Sequence, residues 1–161
     1  MRTSFPSAGY LLEQYDLNND HLQAIRNYGL SIKPNIENIV ADFYNWLALT
    51  PDFSTFFSDP KILFHVKKQQ SQYWVEFLDA DISEEYVKRR SDVGKAHARI
   101  GLPVQPYFAS MSFFVKKLSE PYLTKGNITE KELVTLQAIS KLAQLDVSIA
   151  VDAKKRSIKV T

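Results

Sequence analysis

From Ser7 to Arg156 the apolar residues recur at the spacing of an α-helix, and no convincing run alternates as a strand would. Sheet-based folds are thereby excluded and an all-α architecture is left. Helix punctuation cuts the pattern into about eight pieces. A short first helix is expected over Ser7–Tyr15. Asn18 and Asn19 cap a second, which Gly29 is expected to end. Pro34 fits the first turn of a third helix over Lys33–Ala48. Ile36, Ile39, Val40, Phe43 and Leu47 share its apolar face, with Tyr44 at the edge. Thr50-Pro51 opens a brief helix ending near Phe57, and Asp59-Pro60 a longer one to Phe77. Ser83 caps the next, with Glu84 and Glu85 at its positive end. Tyr86, Arg90, Val93 and His97 lie along one side of it, and Gly101 ends it. Pro103 opens another helix, which Pro121 kinks or stops. Thr129 and Glu132 form a capping box for a last helix reaching about Arg156.

That last helix carries two apolar stripes on roughly opposite sides. Ala138, Leu142, Leu145 and Ile149 make one; Leu136, Ile139, Ala143, Val147 and Ala150 make the other. A surface helix of a monomer needs one stripe. The second implies either unusually deep burial or a partner, and a partner is the favoured expectation. The chain closes on Lys159-Val160-Thr161 without a clear helix stop, as a segment of a longer polypeptide would.

Composition narrows the chemistry. With 161 residues, 45% of them apolar, residues 1–161 suit one domain with a real core. The aromatic share of 12% suits a large apolar pocket as well as a filled core. Five glycines are too scattered to build a phosphate-cradling loop. The absence of cysteine excludes disulfides, zinc-thiolate sites, a thiolate nucleophile and thioether-linked haem, and fits a cytoplasmic location. A net charge of +2 points to neither nucleic acid nor a polybasic membrane surface. No transmembrane helix is expected, and the first residues lack the apolar core of a signal peptide.

The histidines are His21, His65 and His97. No two of them share a helix at metal-pair spacing, and no hydrolase nucleophile turn is present. Glu84 and Glu85 are explained by the helix dipole. A haem site asks for less: one axial imidazole on a helix and an apolar slot around the macrocycle. His97 meets the first need, although a lone histidine beside an apolar face is more often a hydrogen-bonded core residue. Gln69 and Gln70 flank the Ile62, Val66, Tyr73 and Phe77 stripe on its two sides, so either can face a pocket. His65 is expected at a pocket rim or in solvent.

The segment His97-Ala98-Arg99-Ile100-Gly101-Leu102-Pro103, followed by Tyr107, resembles the proximal-helix signature of the globin-coupled sensors. These are bacterial haem proteins in which a globin-fold sensor is joined to an output domain, as in haem-based aerotaxis transducers and diguanylate cyclases. Phe43-Tyr44 is similar to the family's distal tyrosine pattern, and its intervals to Val66–Gln69 and to His97 agree. The resemblance implies a globin-like fold with an extra N-terminal helix and a long C-terminal helix. It implies haem b with His97 as iron ligand, Tyr44 donating a hydrogen bond to O₂, and Gln69 and Val66 on the distal side. Gln69 stands where relatives commonly carry a small hydroxyl residue. Phe43, Phe57, Gln70, Tyr73 and Val93 would line the pocket, and Tyr107 would either support His97 or simply pack. The implied function is sensing of O₂, with CO and NO as further ligands. The signal would pass through the helices starting near Pro103 and Thr129, paired in a homodimer, to a C-terminal output domain such as a diguanylate cyclase or histidine kinase. The sensor itself would not be catalytic. The alternatives are a haem-free interaction module of the same fold and a stand-alone globin that detoxifies NO.

Overall fold

A computed structural model describes residues 6–51 and 55–159, and among these no strand occurs. Side-chain caps set most of the helix starts. Ser7 Oγ accepts the Tyr10 N–H at 3.2 Å to open α1, Ala8–Gln14. Asn18 and His21 cap each other reciprocally at 3.0 and 3.1 Å to open α2, Asn19–Ile32. A 3₁₀ turn over Lys33–Asn35 leads into α3, Ile36–Leu47. A second 3₁₀ turn covers Thr55–Phe57. Asp59 caps α4, Pro60–Asp79, and Ser83 caps α5, Glu84–Arg99. Then come α6, Gln105–Leu123, and α7, Glu130–Lys159, where Thr129 and Glu132 form the expected capping box at 3.1 and 3.3 Å.

Several expected boundaries move. α2 runs through Gly29 to Ile32, because that glycine is a crossing point and not a cap. A Cβ there would meet the Leu78 Cβ and carbonyl oxygen of α4 at 3.1 Å. Pro103 lies in the connection before α6, and Pro106 takes the first-turn position instead. Pro121 sits inside the last turn of α6 without ending it, since a proline so near the terminus forfeits little hydrogen bonding. Of the helix expected from Pro51 to near Phe57, residues 52–54 lie outside those described, and Thr55–Phe57 form the 3₁₀ turn.

α7 is the spine against which α2, α5 and α6 pack. Ala138, Leu142, Leu145 and Ile149 are buried, and so are Ile139, Ala143, Val147 and Ala150 of the opposite stripe. Most of the second stripe is therefore buried within the chain, so deep burial accounts for it without a partner. By length and composition α7 is apolar enough to cross a membrane, which composition did not lead one to expect. Its most apolar window is 56% buried inside the domain, as a core helix requires. α5 approaches α7 so closely that a Cβ on Gly94 would lie 2.0 Å from the Ala150 carbonyl oxygen. One turn of α5 earlier, the buried Arg90 pairs with Asp146 of α7 and Glu76 of α4. These two contacts fix how the histidine-bearing helix sits.

Candidate functional site

The end of α5 places His97. Gly101 adopts φ +69, and the Leu102 and Gly101 N–H groups donate to the His97 and Ala98 carbonyls at 3.0 and 3.1 Å. This left-handed cap satisfies the backbone of the last turn, so the imidazole is not needed there. The ring lies edge-on to Tyr107, with centroids 4.4 Å apart. Its Nδ1 is buried without a hydrogen-bond partner, and so is the Tyr107 hydroxyl. Burial, and then the Lys154 cation of α7, push the imidazole from its ordinary 6.5 down to about 4. The ring is therefore neutral near pH 7 and keeps a lone pair to offer. Burial also raises the Tyr107 phenol, which stays protonated as a donor.

A stability consequence follows with a definite sign. Because the folded value lies below the unfolded one, the unfolded chain binds more protons between pH 4 and 6.5. The haem-free protein is expected to hold its full stability above that window and to lose about 3 kcal/mol as the pH falls through it. Urea denaturation at pH 4.5 and 7, compared with His97→Leu, checks this. An equal loss in the variant assigns it to other groups.

Tyr44 is buried on α3, with its ring edge-on to Phe57 at 5.5 Å. Burial raises its phenol well above the ordinary value, and a hydrogen bond with Gln70 opposes that rise. Gln70 is half-buried, whereas Gln69 is exposed to solvent. This corrects the expected distal placement of Gln69: consecutive helical positions point about 100° apart, and the turn that brings Gln70 inward turns Gln69 out.

The remaining expected residues divide. Val66 and Val93 are half-buried on α4 and α5. Phe43 packs into α6, with its ring 4.7 Å from Phe114. Tyr73, expected in the pocket lining, gives its hydroxyl to Asp146 at 2.9 Å instead. It belongs to the buried ion-pair cluster, whose tertiary partners draw it away. Ile62, expected on the apolar stripe of α4, is 50% exposed. His65 is exposed, and His21 is used in its helix cap. Sequence reasoning missed Lys154, which is 9% exposed and sits one turn beyond Ala150 on α7. No local pattern marks it; only the Gly94–Ala150 crossing shows which face of α7 meets α5.

No group of His, Cys, Asp or Glu among the described residues could hold a metal ion unaided. A metal taken by the lone, neutral, unpartnered imidazole must bring its own equatorial ligands, and a porphyrin does so. The residues present fit haem in this respect: a buried imidazole without a hydrogen-bond partner, edge-on to an aromatic ring. A cavity lies elsewhere. It is a groove of about 610 Å³ on the outer face between α6 and α7, lined by Phe108, Met111, Val115, Val147 and Val151 among others.

Helix order, the histidine at the end of α5 and the tyrosine on α3 define an all-α, globin-like domain. The chain belongs to the protoglobin family, whose profile matches residues 7–158. Membership of a globin family implies a haem cofactor. Among solved structures, the globin domain of a globin-coupled sensor from Geobacter sulfurreducens superposes with a TM-score of 0.87 at 16% identity, covering 94% of this chain and 99% of that one. The ferric globin domain of E. coli DosC superposes with a TM-score of 0.69 at 18% identity, covering 92% of this chain and 95% of that one. A ferrous form of the same domain gives 0.68. No curated protein sequence matches the chain.

Proposed function

We propose that this chain is a haem-based gas sensor domain that binds O₂ reversibly at a haem b ligated by His97. One observation carries the reading. A buried, neutral imidazole without a hydrogen-bond partner and a buried tyrosine stand on the helices that the family uses for its site. The haem supplies the iron at which a diatomic gas binds and leaves. The chain supplies the rest. His97 holds the group through a ring nitrogen, and Tyr107 supports the ring by edge contact. Tyr44 donates a hydrogen bond to the gas, while Gln70, its side-chain hydrogen-bond partner, helps hold the tyrosine. In a dry pocket such a donor favours the more polar O₂ over CO. The similarity to sensor globin domains supports a signalling output over a scavenging role.

The exposed groove between α6 and α7 supports pairing with a second copy and passage of the signal to an output domain. Phe108 is 55% exposed at its edge. Analytical ultracentrifugation that finds only monomer at high concentration removes that part of the reading.

The test of the site is the ferrous spectrum of haem-loaded protein with and without O₂, followed by O₂ release from variants. Tyr44→Phe should accelerate release by roughly ten- to hundredfold, because a hydrogen bond to a partly charged ligand contributes about 1.5–3 kcal/mol. Gln70→Leu acts only through the tyrosine and should accelerate release by about threefold. Gln69→Leu should match wild type. Unchanged kinetics in Tyr44→Phe would sink the distal assignment.

A further inference from the structure

The domain buries a cluster of charges that neither ligates haem nor meets the gas. Arg90 is 2% exposed and Asp146 0%. Arg90 Nε donates to Asp146 Oδ2 at 3.0 Å, Nη1 to Glu76 Oε2 at 3.3 Å, and Nη2 to the Tyr73 carbonyl at 3.0 Å. The guanidinium lies 3.7 Å from the centre of the Tyr73 ring and 4.2 Å from that of Tyr86. Both tyrosine hydroxyls donate to Asp146, Tyr73 at 2.9 Å and Tyr86 at 2.8 Å. Nearly every donor and acceptor is thus satisfied, away from water.

Stability alone does not account for such a cluster. Apolar residues of equal volume would be about as stable, because desolvating two charges offsets most of their attraction. What apolar packing lacks is a single permitted geometry. A planar fork with fixed donor directions accepts one arrangement of its partners. Here those partners lie on α4, which carries Gln70, and on α7, which packs against the histidine-bearing α5. Arg90 is two turns before His97 on the same face of α5. Tyr73 is one turn from Gln70 on α4. Asp146 is one turn before Ala150, where the α5 and α7 backbones meet at Gly94. The pairs advance together along both helices: Arg90 with Asp146, Gly94 with Ala150, and then His97 near Lys154.

We propose that Arg90 and Asp146 are positioning residues of the gas site. Their ion pair holds α4, α5 and α7 in one mutual arrangement, and so sets where the His97 ring stands relative to Tyr44 and Gln70. The inference rests on the haem reading above and adds the residues that tune it. It also couples the site to α7, since any displacement of His97 along α5 loads the ion pair and the Gly94–Ala150 crossing.

The test uses the haem-loaded protein with Asp146→Asn, Arg90→Lys and Tyr86→Phe. Asp146→Asn removes charge and keeps shape, Arg90→Lys keeps charge and loses the fork, and Tyr86→Phe removes one hydroxyl. The readouts are the ferrous iron–histidine stretching band by resonance Raman and the O₂ dissociation rate. Asp146→Asn and Arg90→Lys should shift or broaden the band and change dissociation by about threefold or more. Tyr86→Phe, the mildest change, should act in the same sense by less, and it carries the test if the other two fail to fold. Leu11→Ala, a core truncation in α1, should lower stability and leave the band in place. A wild-type band and wild-type rates in the folded variants overturn the proposal, as does an equal shift in Leu11→Ala. A wild-type protein without a Soret band after reconstitution is a different result: it removes the haem reading itself.

Discussion

Replacing His97 with alanine is expected to leave a folded protein that does not retain haem. The other two histidines are committed elsewhere, His21 to a helix cap and His65 to solvent. No second imidazole can take the place of the first. The fall in haem affinity should exceed the roughly ten- to hundredfold that loss of a ligand's hydrogen-bond partner costs. The fold should survive because the helix end is closed by backbone bonds from Gly101 and Leu102, and the lost ring leaves no hydrogen-bond partner stranded. Soret absorbance after gel filtration, with far-ultraviolet circular dichroism on the same sample, separates the two effects. Added imidazole should restore part of the spectrum. Haem retained at wild-type stoichiometry would refute the ligand assignment.

Gly94→Ala should destabilise the domain more than any other exchange of glycine for alanine in the described core. The new Cβ would lie 2.0 Å from the Ala150 oxygen and 2.8 Å from its carbonyl carbon. Both are backbone atoms that cannot swing aside, so α5 and α7 must part by more than an ångström along their contact. The cost is about 3 kcal/mol, or a drop in Tm of roughly 6–12 °C for a domain of this size. Gly101→Ala meets no atom within 4 Å, and its penalty comes from the left-handed backbone alone, φ +69. About 1 kcal/mol is expected there. Thermal melts of both variants test the contrast, and similar melting points would mean that α5 can shift cheaply.

The same two glycines show what can be read from a sequence of this kind. Gly101 follows the last residue of a periodic segment and precedes Leu102-Pro103, so its role as a helix end is written locally. Gly94 and Gly29 interrupt periodic segments without any local sign of their purpose, and Gly29 imitates a cap. Their meaning lies in Ala150 and Leu78, residues far along the chain. The capping residues, the apolar faces and the histidine at the end of α5 were legible because each is set within one or two helical turns. Which of Gln69 and Gln70 turns inward depends on the roll of α4 about its axis, and packing against α2 and α3 decides that. Tyr73 was misplaced for a similar reason. Its spacing on the stripe is that of a pocket residue, but Arg90 and Asp146 claim it. The second stripe of α7 has a plain source too: a helix packed by neighbours on several sides needs apolar residues on several sides.

The closed geometry of the Arg90–Asp146 pair also limits how this domain can change by descent. Losing either partner alone strands a buried charge, at about 3–5 kcal/mol, whereas exchanging both for apolar residues of matching volume is close to neutral. Drift at one position is therefore blocked until the other has moved, and the tyrosines that wrap the guanidinium narrow the route further. Lineages that share this cluster should keep positions 90 and 146 or replace them jointly, with intermediates that are short-lived.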